Sequence, residues 1–241
     1  MYADVLTAFP VVTKPLEGCV LWPYQDILGL ITVGYGCLID PVEMALGIHW
    51  DGAPSSAQVI AQWHDLKAQT RLAKLHFKYA EAVTKLRLTQ AGADSLLESR
   101  AALFETELRK WFHNWDIMPA DAQLAIMLIA WACGPAFAKT FTTFAKFVNQ
   151  RDWLNAAKCA TINAKGNPGI VPRNAQIQLC LANAAAIDNA DGMPTPALYW
   201  PGHVLDAHAP LSGGAADALA SFSIDECGQT GHACELLPMA A

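Results

Sequence analysis

The chain has 241 residues, 53% of them apolar and only 16% charged, enough for one large domain or two lobes sharing a core and too apolar for a disordered chain. A formal net charge of −6 argues against a nucleic-acid partner, which would require concentrated Lys and Arg. The longest apolar run, Leu124 to Ala138, contains Gly134 and Pro135 and falls short of the roughly 20 residues that span a bilayer, so it reads as a buried central helix with no membrane span.

Taken in chain order, the N-terminus has no basic stretch before its apolar residues and does not read as a secretory signal peptide. A short helix is predicted from Asp4 to Thr13, stopped near Pro15, with Glu17 just beyond it. Bulky residues alternate from Val20 to Leu38 and are broken by Gly29, which predicts a small antiparallel hairpin or three-stranded sheet with Asp26 on its turn and Thr32 on a strand. Pro41, Gly47, Gly52 and Pro54 mark an irregular connection. Ser55 or Ser56 can cap a long helix predicted to run to about Arg87, with His64 and His76 facing solvent, and Thr89 can cap another reaching about Leu108.

Pro119 opens the central helix Ala120 to Cys133, which Gly134-Pro135 ends. Helices at Thr140 to Gln150, Trp153 to Ala164 and about Pro172 to Ile187 follow, with a loop at Lys165 to Gly169. After Asp191 the composition shifts to Pro and Gly, so 191–241 is expected to be a loop-rich extension with one short helix near Ala215 to Ala220. The seven cysteines show no tight repeated spacing and suit synthesis in a reducing compartment, most of them as buried apolar fillers.

Glu17, Asp26 and Thr32 stand in the pattern E-x8-D-x5-T. Hydrolysis of an acetal between sugars needs one carboxylic acid to protonate the leaving oxygen and one carboxylate to activate water. Glu17 and Asp26 are the natural pair, and the Thr32 hydroxyl is suited to hold the water between them. With water as the direct nucleophile the carboxyls should stand about 6.5 to 9.5 Å apart. The acid must keep its proton near neutrality, which partial burial favours.

Leu16-Glu17-Gly18, Tyr24-Gln25-Asp26, Gly29 and Thr32-Val33-Gly34-Tyr35-Gly36 together resemble the N-terminal lobe of the phage-type lysozymes, the endolysin muramidases of glycoside hydrolase family 24. The resemblance continues through Leu88-Thr89-Gln90-Ala91, Gly134-Pro135-Ala136-Phe137, Asp152-Trp153 with Ala156-Ala157, and Gly169-Ile170-Val171-Pro172-Arg173-Asn174-Ala175-Gln176, reaching from about Thr7 to Ala190. It implies an α+β, mostly helical, two-lobe fold. A small lobe over about 14–55 carries the antiparallel sheet and a helical lobe covers about 56–190, together a catalytic domain over 1–190 with the polysaccharide in the groove between the lobes.

The resemblance further implies that Glu17 is the acid, Asp26 the base and Thr32 the water holder, with inversion at the sugar and no cofactor or metal. Arg173 would orient Glu17, Gly36 would let the strand pass close to the sugar, and Tyr24 and Trp131 would support or contact substrate. Departures fall at accessory positions: Cys37 stands where the family usually has His, Pro172 and Gln176 replace an Arg and a Glu of the late motif, and Ala132 replaces an Asn or Gln. The stretch from Gly36 to Thr89 is longer than the family leads one to expect.

The implied activity is cleavage of the β-1,4 bond between N-acetylmuramic acid and N-acetylglucosamine in peptidoglycan glycan strands. The protein would be made in the cytoplasm and act in the periplasm or on the wall. It would arrive there as a phage endolysin released through a holin, or as an antibacterial effector delivered by a secretion-system carrier and met by an immunity protein. A non-catalytic peptidoglycan-binding module with the same fold is the rival from another class, and a chitinase-like glycanase shares the chemistry. Cys227, His232 and Cys234 offer either a zinc set with His203 or His208, or a Cys227–Cys234 disulfide. Trp111, Trp115 and Trp131 could stack on sugars, although large aromatics are more commonly packing residues.

Overall fold

The computed structural model describes residues 1–165, 167–189 and 196–203. The predicted helix near 215–220, the Cys227, His232, Cys234 set and His208 lie outside the described residues. The fold is α+β and mostly helical, with one three-stranded antiparallel sheet near the N-terminus, as expected. The chain divides into two compact units, one holding Pro10–Ala102 and the other Met1–Phe9 with the described residues from Leu103 onward.

The first helix, α1 (Ala3–Glu17), which enters the first unit at Pro10, runs through Pro10 and Pro15 and ends on Glu17, whereas the prolines predicted an earlier stop. Gly18 ends it instead: at φ +67° it takes the left-handed conformation and donates its amide to the Lys14 carbonyl. The sheet follows as β1 (Val20–Gln25), β2 (Ile31–Gly34) and β3 (Cys37–Leu38) in the order β1-β2-β3. Tyr24 pairs with Thr32, Gln25 with Ile31, and Val33 with Cys37. A short helix, α2 (Val42–Leu46), leads to α3 (Ser56–Ala68), which opens on the expected cap: the Ser55 hydroxyl accepts from the Gln58 amide while Gln58 Oε1 accepts from the Ser55 amide.

The long helix predicted to Arg87 is a correction, because α3 stops at Ala68 and two 3-10 turns, Thr70–Lys74 and Phe77–Ala82, follow. The chain folds back along α3, where Gln62 Oε1 accepts from the Leu86 amide at 3.1 Å and the Thr84 hydroxyl at 3.1 Å. Leu88 then donates its amide to the Leu21 carbonyl at 2.7 Å, and Phe77 packs between the rings of Trp22 and Tyr24. Burying Phe77 on the sheet and gaining these hydrogen bonds outweighs continuing a helix whose outer face would be solvated. His76 is consequently an exposed cap of a 3-10 turn, while His64 is exposed on α3 as expected.

The helix α4 (Gln90–Leu108) starts at Thr89, whose hydroxyl accepts from the Gly92 amide at 3.0 Å. In the second unit, α5 (Ala120–Cys133) is buried at every residue from Ala120 to Ala132. It packs on α8 (Ile170–Asn189), which packs on α7 (Trp153–Lys158), which packs on α6 (Thr142–Asn149). α7 and α6 are shorter than predicted, and α8 begins two residues before Pro172, which then occupies the first turn, where its missing amide leaves no bond unmade. Cys37 and Cys180 are buried free thiols, Cys19 is exposed, and Cys159 is disulfide-bonded.

Asp121 is wholly buried in the first turn of α5, and burial raises its carboxyl above the usual range. Its two oxygens accept from Asn183 Nδ2 at 2.8 Å and from the amides of Tyr199 at 2.9 Å and Trp200 at 3.0 Å. The side chain thus fastens residues 196–203 to the helical core. Asp121→Ala should strand these donors and lower unfolding free energy by about 1–3 kcal/mol. Denaturant titration measures the loss, and amide hydrogen exchange should accelerate first at Tyr199 and Trp200.

Candidate active site

Glu17, Asp26 and Thr32 all belong to the unit Pro10–Ala102 and are all buried, at 3%, 4% and 6% exposure. Glu17 is brought in by the last residue of α1, Asp26 by the turn after β1, and Thr32 by the second residue of β2.

The turn holds Asp26 tightly. Its amide donates to the Leu30 carbonyl and its own carbonyl accepts from Gly29, both at 2.9 Å. Oδ1 accepts the amides of Leu28 at 2.9 Å and Leu30 at 2.8 Å. Oδ2 is buried and has no hydrogen-bond partner. Burial pushes the Asp26 carboxyl above the usual carboxylate range, and the Leu30 and Leu28 amides and the Lys67 charge oppose that rise. One oxygen is therefore fixed by the backbone while the other remains uncommitted inside a low-polarity setting.

Tyr24 lies across the sheet from Thr32, so the two side chains share a face. Burial raises the Tyr24 phenol above its ordinary value, and the negative charges of Glu17 and Asp26 raise it further. Both carboxylates are thus near one phenol, which stays neutral throughout the physiological range. Gly36, at φ +78°, passes so close to Glu17 that a Cβ there would stand 3.5 Å from Oε2. Any larger side chain would be strained and would crowd that carboxyl.

Cys37 is buried and its thiol is pushed up to about 12, first by burial and then by the charge of Glu17, with Arg100 opposing. It is a neutral buried filler. A polar chain secures the neighbouring residue instead: Lys14 on α1 pairs with Asp94 on α4 at 2.9 Å, and the Tyr35 hydroxyl donates to Asp94 Oδ1 at 2.9 Å. Gln90 Nε2 donates to the Tyr35 oxygen at 2.7 Å. The Lys14 bond holds the Asp94 carboxyl below the usual range, with Tyr35 and Gln90 contributing.

Arg173 and Trp131 belong to the other unit. Arg173 on α8 is 0% exposed and donates through Nη1 to the Leu128 carbonyl at 3.1 Å, so it is no helix-surface charge. Trp131 is 9% exposed, with Phe9 and Phe104 rings 5.4 Å and 5.3 Å away, which leaves little of its faces open. Trp115 is buried in the core, and Lys139 stands over Trp111. Two side chains that sequence reasoning did not single out, Lys67 and Asp40, meet at the Asp26 turn. They are far from Asp26 in sequence, and no motif marks them. Among the described residues no group of three or more His, Cys, Asp or Glu could hold a metal ion, and no helix is long and apolar enough to cross a membrane.

No curated protein and no solved structure matches the chain. The family model for phage lysozyme matches residues 14–176, a span running from the end of α1 through the turn of Asp26 and the strand of Thr32 to Gln176 on α8. With that match covering more than half of its length, the chain belongs to the phage lysozyme family.

Proposed function

We propose that the protein is a muramidase that hydrolyses the β-1,4 bond between N-acetylmuramic acid and N-acetylglucosamine in peptidoglycan with inversion. Glu17 is the general acid, Asp26 the general base and Thr32 the residue that holds the attacking water. The observation that carries this reading is the divided carboxylate of Asp26, with Oδ1 saturated by two backbone amides and Oδ2 buried without a partner. A base of this kind cannot swing away from its water, because rotating it would break both amide bonds. Glu17, the acid in this reading, is likewise buried, and the glycine at position 36 leaves the space beside its Oε2 open.

The reaction balances without a cofactor. Asp26 takes a proton from water as the oxygen attacks the anomeric carbon, and Glu17 gives its proton to the departing sugar oxygen. Gly36 and Tyr24 have supporting roles: Gly36 leaves room beside the acid, and Tyr24 stays a neutral phenol that feels the charge of both carboxyls. The catalytic domain comprises 1–190. Release of the wall from within, as a phage endolysin, and delivery into a rival as an antibacterial effector with a matching immunity protein both require this chemistry.

Glu17→Gln and Asp26→Asn should each lower the release of reducing ends from purified peptidoglycan by about 10²–10⁴-fold. Fragments identified by mass should end in N-acetylmuramic acid. Wild-type activity in either variant removes the mechanism, and binding to insoluble peptidoglycan without fragments from the wild type assigns a wall-binding module instead.

The same residue links function to stability. Because burial raises the folded-state pKa of Asp26 above its unfolded value, the native state binds the extra proton in the window between them, and the ionised carboxylate costs stability at higher pH. Asn at this position keeps an oxygen for the Leu28 and Leu30 amides and carries no charge. Asp26→Asn should therefore melt no lower than wild type at pH 7 while being inactive, and the difference should close as pH falls through the raised carboxylate range. Thermal unfolding at a series of pH values checks both points, and a variant several degrees less stable at pH 7 would contradict them.

A further inference from the structure

The turn that carries Asp26 is gripped from outside by the C-terminal end of α3. Lys67, in the last turn of α3, donates from Nζ to the Gly29 carbonyl at 2.6 Å and to Asp40 Oδ2 at 2.5 Å. The same Asp40 oxygen accepts the Ile31 amide at 3.1 Å. From the other side, Gln25 Nε2 donates to the carbonyls of Leu66 at 2.7 Å and Lys67 at 3.2 Å at the C-terminal end of the helix. The ammonium also stands 5.8 Å from the centre of the Trp63 ring, whose indole N–H donates to the Ile39 carbonyl at 2.9 Å. Of the residues flanking the turn, Gln25 before it is tied directly to α3, and Ile31 after it is tied to Asp40, the partner of Lys67.

We propose that Lys67 is a positioning residue for Asp26, closing the β1–β2 turn through the Gly29 carbonyl and keeping a positive charge beside the buried carboxylate. The role follows from where each bond lands. Gly29 lies between Leu28 and Leu30, the two residues whose amides hold Asp26 Oδ1, and its carbonyl shares a peptide plane with the Leu30 amide, so fixing that carbonyl aims the Leu30 N–H at Oδ1. Lys67 on α3 favours its ionised form and Asp40 after β3 disfavours it. Tyr24 on β1, itself near Glu17, stays neutral. Lys67 offsets both the burial of Asp26 and the charge of Asp40, and its own pairing with Asp40 keeps the ammonium where it does this. The inference rests on the reading of Asp26 as the water-activating base, but the charge state of Asp26 can be measured without reference to catalysis.

The test uses the full chain, with wild type, Lys67→Gln, Lys67→Met and Lys67→Arg, and follows the Asp26 carboxyl by carbon-13 NMR across pH. Lys67→Gln retains a donor for the Gly29 carbonyl and removes only the charge, so it covers the case in which Lys67→Met fails to fold. Both neutral variants should move the Asp26 midpoint upward by about half a pH unit or more, since a cation near a carboxylate favours its charged form. Lys67→Arg should restore the wild-type midpoint. On peptidoglycan the acid limb of the kcat profile should move upward in step, with KM changed less than twofold. An unmoved midpoint in both neutral variants overturns the proposal, as does a shift of equal size in Lys67→Arg. Full activity in Asp26→Asn would overturn the assignment of the base, and the midpoints would still decide whether Lys67 sets the charge of Asp26.

Discussion

Keeping an aspartate at 4% exposure demands a substitute for the water it has lost, and here the turn that bears the aspartate supplies that substitute. Two backbone amides donate to Oδ1, and the turn closes on itself through the bonds between Asp26, Gly29 and Leu30. The dependence is mutual: the amides point inward because a charged acceptor stands there, and the acceptor is tolerated because the amides point inward. Oδ2 is left outside the arrangement. An uncompensated oxygen on a buried acid breaks the usual rule that buried polar groups are satisfied, and such breaches concentrate where a protein does chemistry.

So small a sheet could not hold that turn unaided, since its strands run to six, four and two residues. Polar clasps from helices hold its edges and turns. The side chain of Gln25 ties β1 to the end of α3, Leu88 adds a bond to Leu21, and Arg100 on α4 donates to the Leu38 carbonyl at 2.9 Å. Lys14, Asp94, Tyr35 and Gln90 join α1, the β2–β3 turn and α4 in one hydrogen-bonded chain. Each such bond nets only about 0.5–1.5 kcal/mol, but several of them acting on a short hairpin restrict it to one geometry. This is how so short a sheet can keep the Asp26 turn in place beside the Tyr24 phenol.

Features carried by short-range chemistry could be read in the sequence. The Ser55 and Thr89 caps, the largely apolar α5, the antiparallel strands and the placing of Asp26 on a turn all follow from residues within a few positions of one another. Two errors arose where tertiary contact overrode local preference. Pro10 and Pro15 left α1 unbroken, and α3 ended at Ala68 although helix-compatible residues continued, because Phe77 and Leu86 gain more by packing back on the sheet and on α3. Lys67 and Asp40 were beyond any sequence reading for a related reason. The bond from Lys67 to Gly29 spans 38 residues, and that to Asp40 spans 27, separations at which no periodicity carries information.

The departures from the family pattern acquire a meaning once their surroundings are known. Gln176, in place of the family's Glu, uses its Oε1 to accept the indole N–H of Trp200 at 2.7 Å, a contact that belongs to the fastening of residues 196–203. Asp121 supplies the rest of that fastening from the opposite helix, through Tyr199, Trp200 and Asn183. Pro172 sits where a helix start can accept it, and Cys37 has become a neutral buried thiol. The positions that depart from the family pattern are thus filled by groups that pack or that bind residues 196–203, and none of them is Glu17, Asp26 or Thr32. Ionised Asp26 costs stability that a neutral residue would return, so the stability of the fold does not account for a carboxylate in this buried turn.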